Sequence, residues 1–230
     1  MTLPTAKQKK STNPFDYTIL IYGDPKIGKS EACSRIPDAL FIQTEPGIKN
    51  LEVFTTPLIE TWEEFLDVAK DMSEGKHSFK TIVVDTLDGM YQLCARYICK
   101  QNGWKHESEL DYGRGYTRVK LELMRVLNKL AGLPTGLVLV GHAKEKEVKT
   151  RTGTFDRITL CFSSSIEEAI TAFVDVALYA RVETHEGEKI RVVRSLYSDD
   201  YFAGGRIDFF EDGMLLEDLF NETSKNGGSK

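Results

Sequence analysis

Apolar runs of strand length alternate along this chain with stretches of helical period. Tyr17 to Tyr22 (YTILIY), Ala39 to Gln43, Thr81 to Asp85 and Gly136 to Gly141 read as strands. Helical segments follow at Lys29 to Ile36, stopped by Pro37, and at Trp62 to Met72, Asp88 to Asn102 and Tyr116 to Ala131. In the last of these, Tyr116, Val119, Leu123, Leu127 and Leu130 recur every three or four residues, so one face packs on a sheet and is core rather than a site. Strand, helix, strand in steady alternation predicts an α/β fold with a mostly parallel central sheet flanked by helices. Beyond Gly141 the pattern shifts to a charged stretch with a Thr-Gly turn. Two further strands follow near Phe173 to Val182 and Lys189 to Leu196, expected as antiparallel C-terminal additions to the same sheet.

Composition sets the bounds. With 41% apolar residues in 230, the chain can bury one sizeable core. No repeat or low-complexity linker divides it, so we expect a flexible arm over 1–15, one domain over 16–207, and an acidic then polar tail over 208–230. Thirty Lys and Arg against 35 Asp and Glu give a net charge of −5, so any nucleic-acid contact must rest on a local patch. Cys33, Cys94, Cys99 and Cys161 form no CxxC pair and read as reduced thiols of a cytoplasmic protein. No stretch has the eighteen or so apolar residues of a membrane span.

Chemistry enters at Gly23-Asp24-Pro25-Lys26-Ile27-Gly28-Lys29-Ser30, a GxxxxGK[ST] pattern that follows a strand and opens a helix. Its glycines let successive N–H groups converge on phosphate oxygens. Lys29 is positioned for the β and γ phosphates, and Ser30 for Mg²⁺. The expected nucleotide-binding set is Gly23 through Ser30 together with Glu31. Guanine selection calls for an NKxD-type segment after a strand, and Asn128-Lys129-Leu130-Ala131 is mid-helix without the acid, so ATP is the expected nucleotide.

Three strand ends supply further polar groups. Asp85 closes the TIVVD strand, and either holds Mg²⁺ and its waters or only caps the helix beginning near Leu87; Asp88, just inside that helix, reads mainly as a cap. Glu45 follows ALFIQT at the carboxyl edge of the sheet, and either orients an attacking water or is a solvated turn residue. His142 ends GLVLVG, and either senses the γ-phosphate or is structural.

Taken together, GDPKIGKS, FIQTEPG, TIVVDTLDGMYQLC, ELDYGRGYTRV, GLVLVG and GHAKEKEVKTRTG resemble the RecA-core P-loop ATPases, most closely the phage-encoded RecA-like proteins of the single-strand annealing and recombination group. The similarity spans about Asp16 to Arg206. It implies a RecA-like P-loop NTPase core with the His142 strand between the P-loop and Asp85 strands, Glu45 as catalytic glutamate and His142 as γ-phosphate sensor, with Lys29 assisting. It also implies a DNA-binding loop after His142. Residues 144 to 157 hold Lys144, Lys146, Lys149, Arg151 and Arg157 against Glu145, Glu147 and Asp156, a local charge of +2 that a solvated hairpin also accommodates. Arg206, after Ala203-Gly204-Gly205, is the candidate residue acting across a subunit boundary. The expected function is an ATP- and Mg²⁺-dependent ATPase that binds single-stranded DNA as a ring or filament, with a single-strand-binding protein as a further partner, in the host cytoplasm if phage-encoded. The alternative is a nucleotide-binding regulator or assembly factor without direct DNA contact. A small-molecule kinase is disfavoured because no arginine-bearing lid segment is present.

Overall fold

Parity along the strands decides which of two cores each apolar side chain joins. The computed structural model describes residues 6–7, 10–109, 113–149 and 153–221, apart from the side chain of Lys149. Its central strands are β1 (Thr18–Gly23), β2 (Ala39–Gln43), β4 (Thr81–Asp85), β5 (Gly136–Lys149) and β7 (Val176–His185), with a short β3 (Phe54–Thr55) at one edge. They lie in the order β7-β1-β5-β4-β2-β3, all parallel, so the His142 strand runs between the P-loop and Asp85 strands as expected. Four helices, α2 (Trp62–Glu74), α3 (Leu87–Asn102), α4 (Arg114–Ala131) and α5 (Ser164–Phe173), cover one face. Leu20, Tyr22, Ile82, Val84, Leu137 and Leu139 turn toward them. Ile19, Ile21, Val83, Val138 and Val140 turn to the opposite face, against α1 (Lys29–Cys33) and the C-terminal segment. Both faces are covered, which is why these strands read as continuous apolar runs.

Local chemistry sets the helix ends. Thr61 and Glu64 form a reciprocal capping box at the start of α2, and Gly75 closes that helix in the left-handed region. Thr86 caps α3 by accepting from the Gly89 N–H, and Gly103 ends it. The cap expected at Asp88 is therefore supplied by Thr86, whose shorter side chain stands outside the first turn.

The C-terminal half departs from the expected pattern at two places. Residues near Phe173 end α5 rather than begin a strand: Ile166 and Ile170, one turn apart, are buried against the sheet-facing core. The strand that follows, β7, pairs in parallel with β1. Beyond β7 the pairing is antiparallel: β8 (Glu188–Arg194) on β7, then β9 (Gly204–Gly205) on β7 and β10 (Met214–Leu215) on β8. Beyond Asp208 the charged sequence carries Phe210, Leu216, Leu219 and Phe220 into the second core. Each large apolar side chain contributes roughly 1.5–3 kcal/mol on burial. Repulsion among exposed carboxylates is screened over about 8–10 Å, so burial dominates and residues 208–221 form a packed cover rather than a free tail.

Candidate functional site: a phosphate-binding cleft at the carboxyl end of the sheet

The parallel strands deliver their terminal polar residues to one edge. Gly23 is in register with His142, Asp85 with Val140, and Gln43 with Asp85, so the P-loop, Glu45, Asp85 and His142 all emerge there. A cleft of about 250 Å³ opens between them, lined by Lys29, Ser30, Asp85, Thr86 and His142. Gly23 must be glycine because a Cβ there would lie 2.3 Å from the Ala180 carbonyl oxygen of β7. Gly28 holds a φ of 107°, the left-handed geometry that turns the loop into α1.

Lys29 is 5% exposed, and its Nζ donates to the Gly23 and Asp24 carbonyl oxygens at 2.9 and 2.8 Å. Burial lowers its pKa, while Asp85, Asp88 and Asp24 act to keep it charged. A buried ammonium bonded to neutral carbonyl oxygens is suited to an incoming phosphate anion. Next to it, Ser30 hydrogen-bonds Asp85. Burial raises the Asp85 pKa, opposed by that hydrogen bond and by Lys29. Among the described residues no three His, Cys, Asp or Glu side chains gather as a metal cage. Ser30 with Asp85 fits Mg²⁺ instead, an ion that keeps several waters and takes few protein ligands.

A hydrogen-bonded brace fixes Glu45. The Thr86 hydroxyl donates to Glu45 Oε1 at 2.8 Å, and Thr44 Oγ1 accepts from the Thr86 N–H at 2.8 Å while donating to its carbonyl at 2.7 Å. The Asp85–Thr86 peptide joining this brace to the strand is cis. Asp88 accepts from the His142 N–H at 2.9 Å and faces its Nδ1 at 3.4 Å. That contact raises the His142 pKa, against burial and Lys29 and with help from Glu45. Thr86 thus holds Glu45 and Asp88 holds His142; the sequence offered a capping signal at Asp88 and none was read at Thr86.

Arg191 also lines the cleft, reaching in from β8, and sequence reasoning missed it. It lies some 160 residues along the chain from the P-loop, and only the antiparallel β7–β8 pairing, Val182 opposite Arg191, brings it there.

The remaining candidates lie elsewhere. After His142, β5 continues to Lys149 and pairs antiparallel with β6 (Thr154–Leu160), so the basic stretch is a hairpin. Lys144 donates to the Phe162 carbonyl at 2.7 Å, and Lys146 pairs with Glu167 at 3.0 Å. Arg157 donates to the Ser198 and Tyr201 carbonyls at 3.3 and 3.4 Å. These three are half-buried, while Glu145, Glu147 and Asp156 are exposed. Arg151 and the Lys149 side chain lie outside the described residues. Arg206 pairs with Asp175 at 3.4 Å, beside the amino ends of β1 and β7 and so at the end of the sheet opposite its own P-loop.

A P-loop on a parallel sheet, with the His142 strand between the P-loop and Asp85 strands, defines a P-loop domain with RecA-like strand order. The chain belongs to the AAA domain family, whose model matches residues 16–207. It is 26% identical over 132 residues to the SPbeta prophage-derived uncharacterized protein YorG of Bacillus subtilis (strain 168), covering 55% of this chain and 41% of that protein. The chain thus spans about two fifths of that relative's length. Among solved structures it is similar to a KaiC-like protein from Pyrococcus horikoshii OT3, with 13% identity, a TM-score of 0.43 and coverage of 78% and 77%. Another is the flagellar accessory protein FlaH of Methanocaldococcus jannaschii, with 11% identity, a TM-score of 0.41 and the same coverage. Among the described residues, no helix is long and apolar enough to cross a membrane.

Proposed function

We propose that this domain binds ATP with Mg²⁺ and hydrolyses it, using Lys29 on the phosphates, Ser30 and Asp85 on the metal side, and Glu45 as the group that orients or deprotonates the attacking water. The observation that carries this reading is the convergence of Lys29, Ser30, Asp85 and His142 on one cleft, beside a Glu45 held by Thr86. Bound Mg²⁺ would supply charge neutralisation between phosphate oxygens. Lys29→Ala should abolish binding of a fluorescent ATP analogue while the melting temperature stays near that of the native chain. Full retention of binding would remove the basis of the proposal.

The output we propose is single-stranded DNA binding in annealing or recombination, by a homo-oligomer in which Arg206 serves a neighbouring copy and a single-strand-binding protein is a further partner. Support comes from continuity: His142 lies on β5, which runs on into the hairpin with β6, so a γ-phosphate contact at His142 bears on the segment 144–157, whose sequence holds Lys144, Lys146, Lys149, Arg151 and Arg157. The internal bonding of Lys144, Lys146 and Arg157 favours a second reading, in which the nucleotide state is read by a protein partner rather than DNA. Binding of a labelled oligonucleotide at several salt concentrations, with and without ATP, separates the two. Affinity that rises with ATP and falls steeply with salt supports DNA; none at low salt supports the protein partner. The mass of the complex with and without ATP tests the oligomer.

A further inference from the structure

We propose that Arg191 is a phosphate-binding residue of the nucleotide site, acting on its own chain's P-loop from the outside while Lys29 acts from beneath. This rests on the reading of the cleft as an ATP site, and adds a residue outside the P-loop motif.

Three observations place Arg191 there. Alternation along β8 puts it on the same face as Val193, which is fully buried in the core beside α1. Its side chain therefore projects toward the P-loop rather than toward the helical layer. The guanidinium Nη1 lies 3.3 Å from the Ile27 carbonyl oxygen and 3.3 Å from Glu31 Oε2, and it borders the cleft that Lys29 and Ser30 also line. A Cβ on residue 28 would stand 2.5 Å from that same nitrogen, so the absence of a side chain at Gly28 leaves room for the guanidinium to lie over the loop.

Charge decides what Arg191 would do when a nucleotide arrives. Its partner Glu31 is 48% exposed and its own side chain 41% exposed, and screened pairs of this kind contribute little to stability. A polyphosphate in a partly desolvated cleft presents several charged acceptors to a forked donor suited to them. Arg191 then exchanges Glu31 for phosphate oxygen at little cost. Glu31 acts as a competitor that holds the guanidinium in place between nucleotides. Because β8 is paired along its length with β7, which pairs with β1, the guanidinium is delivered by the same sheet that carries the P-loop.

The test measures affinity of the full chain for Mg-ATP, Mg-ADP and inorganic tripolyphosphate. Arg191→Ala should weaken all three by about tenfold, equivalent to about 1.4 kcal/mol. Arg191→Lys should restore part of the loss. A melting temperature near the native value confirms that Arg191→Ala folds, as expected for a residue whose ion pair with Glu31 is at the surface. Arg191→Ala within twofold of native for ATP overturns the assignment. A loss for ATP with none for tripolyphosphate overturns the phosphate contact in favour of the base. A native chain that binds none of the three overturns the ATP reading, and Arg191's role with it.

Discussion

Around His142, neighbouring charges set the protonation state of the group nearest the proposed γ-phosphate position. The hydrogen bond with Asp88 raises its pKa, burial and Lys29 oppose the rise, and Glu45 adds to it. A histidine whose folded pKa exceeds the unfolded value of about 6.5 stabilises the fold fully below that value. The contribution is lost as pH rises through the folded pKa. Asp88→Asn should therefore lower the imidazole titration seen by NMR and narrow the gap in melting temperature between pH 6 and pH 8; an unchanged titration would show that Asp88 does not hold the ring. The placement of Lys29, Ser30, Asp85, Glu45 and His142 at one sheet edge was legible in sequence, because each follows or ends an apolar run whose fate is a parallel strand. Asp88 was read only as a cap, because a capping signal does not reveal which side chain faces across the sheet, and Thr86 was not singled out at all. Arg191 was invisible, since one arginine in a charged hairpin gains meaning only from strand pairing.

At the scale of elements, periodicity read the layered half of the fold well. Val119, Leu123, Leu127 and Leu130 of the α4 stripe are core as expected, while Tyr116 at its start is half-buried outside the core; Leu123 is fully buried, whereas Leu121, two residues away, is 64% exposed. Leu123→Ala should cost about 2–5 kcal/mol in chemical denaturation, and Leu121→Ala roughly 0.5 kcal/mol or less. Equal losses would mean that the helix is rotated about its axis. The miss at α5 has a local cause. Its ten residues, SSIEEAITAF, run through Val174-Asp175 into the apolar strand VALYA, so a short helix and a buried strand merge into one apolar stretch. The hairpin of β5 and β6 shows a different limit. Net charge over residues 144 to 157 was readable, but strand alternation turns Lys144, Lys146 and Arg157 inward against carbonyl and carboxylate partners.

For the molecule as a whole, the two cores depend on covers of unequal visibility. The helical layer announces itself by period. The opposite face is closed largely by α1 and by the segment carrying Phe210, Leu216, Leu219 and Phe220, whose acidic residues dominate its sequence. Deleting residues 208–230 should therefore lower the melting temperature sharply and broaden the transition. A truncated chain as stable as the native one would show that this face needs no cover. The proposed function depends on the same architecture, because one sheet edge gathers the P-loop, Asp85, a braced Glu45 and a histidine that leads into a hairpin. The most direct measurement is the rate of phosphate release from ATP by the native chain and by Lys29→Ala, each with and without Mg²⁺. We predict release by the native chain only with Mg²⁺, and none above background from Lys29→Ala. Release by Lys29→Ala equal to that of the native chain, or no Mg²⁺-dependent turnover by the native chain at any ATP concentration, would contradict the account.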